Sequence, residues 1–295
     1  MLSILIPCYN YNTYPLVVEL YNQSVKENLS FEIIVQDDAS NSELNLENEK
    51  IKSLQNCFFY RNNQNIGRGK NRNSLATKAK YNWILFLDCD TFPTKNDFIK
   101  KYIHAIQKHE VVFGGIKYQT KKPEQSQLLR WIYGKKREAI SIKQRIKNPN
   151  RTALTSNLLI KKDVFLSNPF EDTILEYGYE DYLFFIKLEQ KNTVITHIEN
   201  TVIHLGLETS EEYLNKINIS LKNLSYLYNF GLLSSSDNRI LSVYSKINKF
   251  KLDKFFNLFF DEFSVSIKSN LMSNKPSLFL LDIYKLSYFC KINLK

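Results

Sequence analysis

Trp83-Ile-Leu-Phe-Leu-Asp88-Cys89-Asp90-Thr-Phe-Pro93 opens as an unbroken apolar run and closes on two carboxylates one residue apart. A continuous run of this length suits a strand buried on both faces, as in a parallel sheet. Residues i and i+2 of an extended segment project to one side, so Asp88 and Asp90 bring their charges together where the strand leaves the sheet. Ligands of open α/β sheets bind beyond the carboxyl ends of the strands. Paired carboxylates repel unless a proton or a cation sits between them. A hard divalent ion, Mn²⁺ or Mg²⁺, prefers oxygen donors and a substrate diphosphate. Taken alone, the pair is more simply a solvated Asp-x-Asp turn.

Upstream, Leu2–Ile6 reads as a strand stopped by Pro7, then a Pro7-Cys8-Tyr9-Asn10 loop and a helix over about Tyr14–Asn28. Phe31–Val35 is a second strand, and Gln36-Asp37-Asp38-Ala39-Ser40 again sets carboxylates at a strand end. A polar-faced helix over Glu43–Leu54, a strand at Cys57–Tyr60 and a helix over Gly67–Lys80 lead into the Trp83 strand. Downstream come a helix over Lys95–His109, a strand at Val111–Gly115 and a helical Pro123–Ile140. The basic Lys143–Arg151 stretch, broken by Asn148-Pro149-Asn150, reads as a mobile loop. Thr155–Ile160 returns to strand, Phe170–Gly178 is irregular, Glu180–Gln190 is helical and Thr193–Ile198 is a strand. Strands alternating with helices predict an α/β fold: a Rossmann-like, mostly parallel sheet flanked by helices. From Ser210 the pattern turns to aromatic-rich helices, so residues 1–209 are expected as the nucleotide-binding and catalytic domain and 210–295 as a helical C-terminal extension.

The 295 residues are 43% hydrophobic with few Gly and Pro, which excludes a disordered chain. The net charge of +10 admits anionic partners: a nucleoside diphosphate, nucleic acid or an acidic membrane surface. The four cysteines form no Cys-x-x-Cys pair and read as free thiols of a reducing compartment. No signal-peptide segment opens the chain and no apolar run reaches the ~18–20 residues of a membrane span. A cytoplasmic protein, peripheral at the inner face of the cell membrane, is the expectation. Residues 243–295 carry nine Lys against four acids together with many Phe, so this tail suits either an anionic membrane surface or an ordinary helical cap.

Arg68 and Arg72 lie four apart and share a helix face near its N-terminus, where anions are favoured. Gly67-x-Gly69 lacks the third glycine of a dinucleotide fingerprint. Asp181, Phe184, Phe185 and Leu188 have helical stripe spacing, which aims Asp181 inward and leaves Glu180 about 100° off the stripe. An inward carboxylate at a helix start also fits a simple N-cap. His204 ends the short apolar run that begins at Thr201 and precedes Leu205-Gly206, and a lone His is more often structural.

Five segments fall in order: Ser3-Ile-Leu-Ile-Pro-Cys-Tyr-Asn10, Val35-Gln-Asp-Asp-Ala-Ser40, Asn65-Ile-Gly-Arg-Gly-Lys-Asn-Arg-Asn73, Leu87-Asp-Cys-Asp90 and Gly178-Tyr-Glu-Asp181. Over about residues 1–210 the set resembles the family-two glycosyltransferases of the inverting GT-A type, as found in bacterial glycan biosynthesis. The resemblance implies that Pro7, Cys8, Tyr9, Asn10 and Asp38 hold base and ribose. It places Gly67, Arg68 and Arg72 facing the nucleotide, and Asp88, Cys89 and Asp90 as the DxD motif that binds ribose and metal. It implies Asp181 as the general base beside Glu180, and His204 as a further metal ligand, so that the metal set is Asp90, His204 and Asp88. Asn71 stands where the family often has Ala. Thr155-Ser156-Asn157 replaces a common Gly-Gly-Asn, with Asn157 and Glu180 toward the sugar and acceptor.

The implied reaction is metal-dependent, inverting transfer of a hexose or N-acetylhexosamine from a nucleotide sugar, UDP-linked, to a hydroxyl of a glycan or lipid-linked glycan. The chemistry agrees: a departing diphosphate needs its charge neutralised, and the acceptor hydroxyl needs a base within reach. Two alternatives stand beside it. A nucleotidyltransferase could share such a sheet, but its Gly-rich N-terminal phosphate loop is replaced here by Pro7-Cys-Tyr-Asn10. A non-catalytic nucleic-acid- or membrane-binding protein explains the charge. It does not explain carboxylates collected at strand ends, so nucleic acid is not expected as a partner.

Overall fold

The computed structural model describes residues 1–174 and 177–294. The irregular Phe170–Gly178 stretch therefore includes two positions outside the described residues. The chain divides into two compact units. The first comprises Met1–Gln119, Arg137–Leu175 and Glu180–Gly206; the second comprises Thr120–Lys136, Glu176–Tyr179 and Leu207–Lys295.

Among the described residues the first unit carries ten strands: β1 Leu2–Cys8, β2 Phe31–Asp37, β3 Cys57–Arg61, β4 Trp83–Leu87, β5 Thr91–Pro93, β6 Val111–Phe113, β7 Ile116–Tyr118, β8 Asn157–Lys161, β9 Thr196–His197 and β10 Val202–His204. Seven form one sheet in the order β3-β2-β1-β4-β8-β6-β9, and β5-β10-β7 form a second, small sheet. Alternation inside the apolar strands explains why both faces are buried. Ile4, Ile6, Leu85 and Leu87 point to one face, under the Tyr14–Lys26 and Phe98–Ile106 helices through Leu16, Val17, Leu20, Phe98 and Tyr102. Leu5, Ile84 and Phe86 point to the other, with Leu75, Phe165, Phe184, Phe185 and Leu188. Each such side chain contributes roughly 1.5–3 kcal/mol on burial.

The sheet is mostly parallel, but β8 runs antiparallel to both β4 and β6. Its register sets Asn157 opposite Leu87, so the start of β8 lies beside the end of β4. β1 and β2 run further than their sequence suggests. Pro7 pairs with Gln36 and Cys8 with Asp37, while the β4 side of β1 is paired only over Ser3–Leu5. A residue without an N–H is tolerated where the ladder is one-sided. The Lys143–Arg151 stretch is not a loose loop. It forms the short helices Ile142–Arg145 and Pro149–Thr152. Arg145 is almost fully buried and donates to the Ile198 carbonyl at 3.1 Å. Its guanidinium lies where a Cβ on Gly115 (φ +93°) would come within 2.8–2.9 Å.

The second unit is helical: Leu128–Tyr133, Ser210–Asn229, Arg239–Lys249, Asp253–Leu271 and Leu278–Ile292. The Ser210 helix opens on a Thr209/Glu212 capping box. Phe260, Tyr284 and Phe289 pack at its centre. The sequence suggests one helix over Tyr244–Phe263; instead Lys251, in the left-handed region at φ 56°, separates two. No helix among the described residues is long and apolar enough to cross a membrane.

Candidate active site

The ends of β1, β2 and β4 meet the start of β8 at one edge of the large sheet, and this edge carries the acids. After β4 the chain turns sharply: Thr91 donates to the Asp88 carbonyl through its N–H (3.1 Å) and its hydroxyl (2.7 Å). The turn faces Asp88 and Asp90 toward different partners.

Asp88 Oδ1 accepts from Arg72 Nη2 at 2.8 Å. Arg72, only 3% exposed, also holds Nη1 at 3.7 Å from Asp181 Oδ1. One guanidinium thus spans the DxD aspartate and the implied base. Burial opposes the Arg72 charge, but Asp181 and Asp88 outweigh it and raise its pKa above the ordinary value. Burial would likewise raise Asp88, yet Arg72, with Arg68 and His204, lowers it. Arg72 therefore stands between carboxylates rather than open to a nucleotide, whereas Arg68, one turn earlier, is exposed. Asp88 thus gives one oxygen, Oδ1, to Arg72.

Asp181 Oδ2 accepts from the Thr155 hydroxyl at 2.6 Å and from the Thr155 N–H at 3.3 Å. Oδ1 is buried without a hydrogen-bond partner among the described residues, facing Arg72. Glu180 departs from the helical-stripe expectation. It is the more enclosed of the two acids, at 6% exposed. A helical stripe assumes one packed face, whereas this first turn also lies within the field of Arg68 and Arg72. Burial first, then the Asp181 charge, push the Glu180 carboxyl above the usual range, against those two arginines.

Asp90 faces His204, with Oδ2 at 3.4 Å from Nε2. His204 stacks on Tyr118 at 5.3 Å between ring centres. Antiparallel pairing of β5 with β10 brings this pair together, setting His204 opposite Thr91. A Cβ on Gly206 would sit 2.3 Å from Asp90 Oδ2, so only glycine leaves room for that carboxylate. Burial, and next to it Asp88, push Asp90 up, while His204 and Arg68 pull it down. No group of three or more metal-ligating side chains forms among the described residues. The donor set present is a carboxylate oxygen facing an imidazole nitrogen. It fits a divalent ion that draws its remaining ligands from a substrate diphosphate, as Mg²⁺ commonly does.

At the end of β2, Asp38 is buried and spends its carboxylate on the chain itself. Oδ1 accepts from Asn62 Nδ2 (2.8 Å) and Ile66 N (2.9 Å), and Oδ2 from Gly67 N (3.0 Å). Three of roughly four acceptor positions are filled. Gly67, at φ 84°, then starts the Arg68–Lys78 helix. Pro7 and Cys8 belong to β1; Tyr9 is half exposed; Asn10, at φ 49°, donates its N–H to Ser40 Oγ. The Cys8 hydrogen bond, then burial, raise the Cys89 thiol well above its usual range.

Asn157 does not face a sugar. It is fully buried; its amide donates to the Gly115 and Asn200 carbonyls (2.8 Å each) and accepts from Tyr102 at 2.6 Å. Every part of that amide is engaged, so it braces the strand edge from behind. Thr155, Gly206 and Tyr118, neighbours of Asp181, Asp90 and His204, are positions to which sequence reasoning gave no role. Thr155 was in view as the first residue of the predicted Thr155–Ile160 strand, whereas the observed strand starts at Asn157.

A buried cation between two acids and a carboxylate–imidazole pair thus meet at the strand ends. The chain belongs to glycosyl transferase family 2, whose family model matches residues 3–166. An uncharacterized glycosyltransferase of Haemophilus influenzae is 30% identical over 207 residues, covering 65% of this chain. The chain spans 63% of that relative's length. Among solved structures, a mannosyltransferase from Pyrobaculum calidifontis in complex with GDP-Man and Mn²⁺ superposes with a TM-score of 0.54 at 11% identity, over 76% of this chain and 63% of that one. GalNAc-T7 with UDP, GalNAc and Mn²⁺ gives 0.52 at 16% identity, over 74% of this chain and 47% of that one. The fold is GT-A, with an additional helical C-terminal region.

Proposed function

We propose that the chain moves a hexose or N-acetylhexosamine from a nucleoside-diphosphate sugar, UDP-linked, to a hydroxyl of a glycan or lipid-linked glycan, with inversion at the anomeric carbon. The observation that carries this reading is the Asp88–Arg72–Asp181 bridge, set beside the Asp90–His204 pair. The Asp181 carboxylate, with Oδ1 against Arg72 and Oδ2 held by Thr155, is the proton acceptor of this reading. The acceptor hydroxyl gives its proton to Asp181 as its oxygen bonds to the anomeric carbon. The bond from that carbon to the diphosphate oxygen breaks, and its electron pair leaves with the nucleoside diphosphate. General-base help of this kind is worth about 10²–10⁴ in rate.

Asp90 and His204 would hold the Mn²⁺ or Mg²⁺, which when bound neutralises charge on the departing diphosphate. Two fold relatives were each solved with Mn²⁺, one with GDP-Man and one with UDP. Arg68, exposed at the start of its helix, suits the same diphosphate. The Pro7–Asn10 segment, Cys89 and the Asp38–Gly67 corner are proposed to hold base and ribose.

Incubation with UDP- and GDP-sugars and Mn²⁺ tests the reading. A matching donor at 100 times its dissociation constant adds about 2.7 kcal/mol of stability, visible as a thermal shift. Release of free nucleoside diphosphate is the expected product; pyrophosphate would instead mean nucleotidyl transfer. Asp90→Asn should abolish the metal-dependent part of nucleotide binding, and His204→Ala should weaken it. A Mn²⁺ titration that overlays the parent's in both variants would remove the metal assignment.

A further inference from the structure

We infer that the corner formed by residues 249–258, continued along the outer face of the Asp253–Leu271 helix, docks on an anionic phospholipid surface. The helix buries Phe260, Ile267 and Leu271 on one side. On the opposite side it leaves Phe255 61%, Leu258 68% and Val265 76% exposed. Phe250, 71% exposed, and Leu252 extend this face through the turn before the helix. Exposed apolar side chains that share one helix face mark a surface that something covers.

Charge identifies the occupant. Lys249, Lys251 and Lys254 are all exposed around Phe250 and Phe255. The acid among them, Asp253, is half-buried, so three exposed lysines stand against one partly covered carboxylate and the net charge of the corner is positive. Glu262, on the apolar face, and Asp261, beside that face and paired with Lys291, are the acids set against it. Basic residues rimming an apolar helix face are the pattern of a helix lying in a membrane interface, with its apolar side among acyl chains and its lysines at anionic headgroups. With no helix among the described residues able to span a bilayer, the contact is peripheral. Such a contact would place the protein at a membrane carrying anionic lipid, in keeping with the inner face of the cell membrane.

The full chain should be sedimented with large vesicles of phosphatidylcholine alone and with 30 mol% phosphatidylglycerol. Binding is expected only to the anionic vesicles and should fall as salt screens the lysines. Replacing Lys249, Lys251 and Lys254 together by Ala should weaken it about a hundredfold, the product of three contributions of the usual size. Phe250→Ser/Phe255→Ser/Leu258→Ser should also lose it, with circular dichroism and melting point held. Equal recovery on both vesicle types, or binding untouched by both triple variants, overturns the inference. A concentration-dependent dimer that the apolar triple variant abolishes, without vesicle binding by the parent, assigns the face to a second copy instead.

Discussion

Two strands of the same sheet end in carboxylates, and the two ends are built differently. At the end of β2, Asp37 and Asp38 each take three hydrogen bonds from the chain. Asp37 accepts from the Ser40 N–H (2.9 Å), the Ser40 hydroxyl and Asn45, and Asp38 from Asn62, Ile66 and Gly67. At the end of β4, Asp88 leans on one arginine and Asp90 faces one histidine, each side chain about a quarter exposed. The first end uses its charges to fold two loops. The second keeps coordination capacity in reserve. Acidic residues after a buried strand therefore do not by themselves mark a reactive site; what matters is how many protein donors already hold their oxygens.

Breaking the reactive end should cost most. Arg72→Met removes the cation that compensates Asp88 and Asp181, leaving two partly buried acids uncompensated. A loss of about 3–5 kcal/mol is expected, read as a lower denaturation midpoint, together with loss of transfer. If Arg72→Met melts like the parent, the bridge is not what holds the two ends together. Asp181→Asn should keep the fold and the binding of nucleotide and Mn²⁺ yet lose turnover by about 10²–10⁴. Glu180→Gln should lose less in the chemical step. A dead Glu180→Gln beside an active Asp181→Asn would move the base to the more buried carboxylate.

Breaking the β2 end should show in stability instead. Asp38→Asn keeps the shape but turns an amide N–H₂ toward a backbone N–H, either at Gly67 or at Ile66. Leaving such buried donors unmatched costs about 1–3 kcal/mol. Urea denaturation should register that loss, with the KM for donor shifting only as far as the Gly67 turn moves. Unchanged stability with lost nucleotide affinity would instead give Asp38 a direct binding role.

What was legible in the sequence follows the same division. Buried strands announce themselves by apolar runs, so β1, β2 and β4 and the acids after them could be read directly. The helices carrying Arg72 and Asp181 were also legible from their spacing. What could not be read was the direction of β8. A parallel β8 would have presented Lys161 at the site edge; the antiparallel one presents Thr155, Ser156 and Asn157, with Asn157 opposite Leu87. The Thr155–Asp181 bond and the brace made by Asn157 both follow from that reversal. Local propensity is silent about it, because strand direction is decided by long-range packing. The Asp90–His204 pair was named by resemblance, but the reason Gly206 must be glycine appears only once β10 lies against β5. Glu180 was misplaced because a helical stripe counts only one packed surface.

The smallest expected effect tests whether the reactive end is tuned or merely placed. The Thr155 side chain gives Asp181 one strong hydrogen bond at 2.6 Å, backed by its own N–H at 3.3 Å. Thr155 is fully buried, so Val fits its shape and removes only the hydroxyl. A hydrogen bond to a charged group is worth about 1.5–3 kcal/mol, and the backbone N–H remains, so a drop in kcat of about tenfold is expected. KM for the donor should stay near the parent's, since Thr155 bonds to Asp181, the proposed base. Thr155→Ser restores the hydroxyl without the methyl and should recover most of the turnover. A Val variant that loses stability and KM together, with Ser giving no rescue, would make Thr155 a packing residue, and Asp181 would then owe its orientation to Arg72 alone.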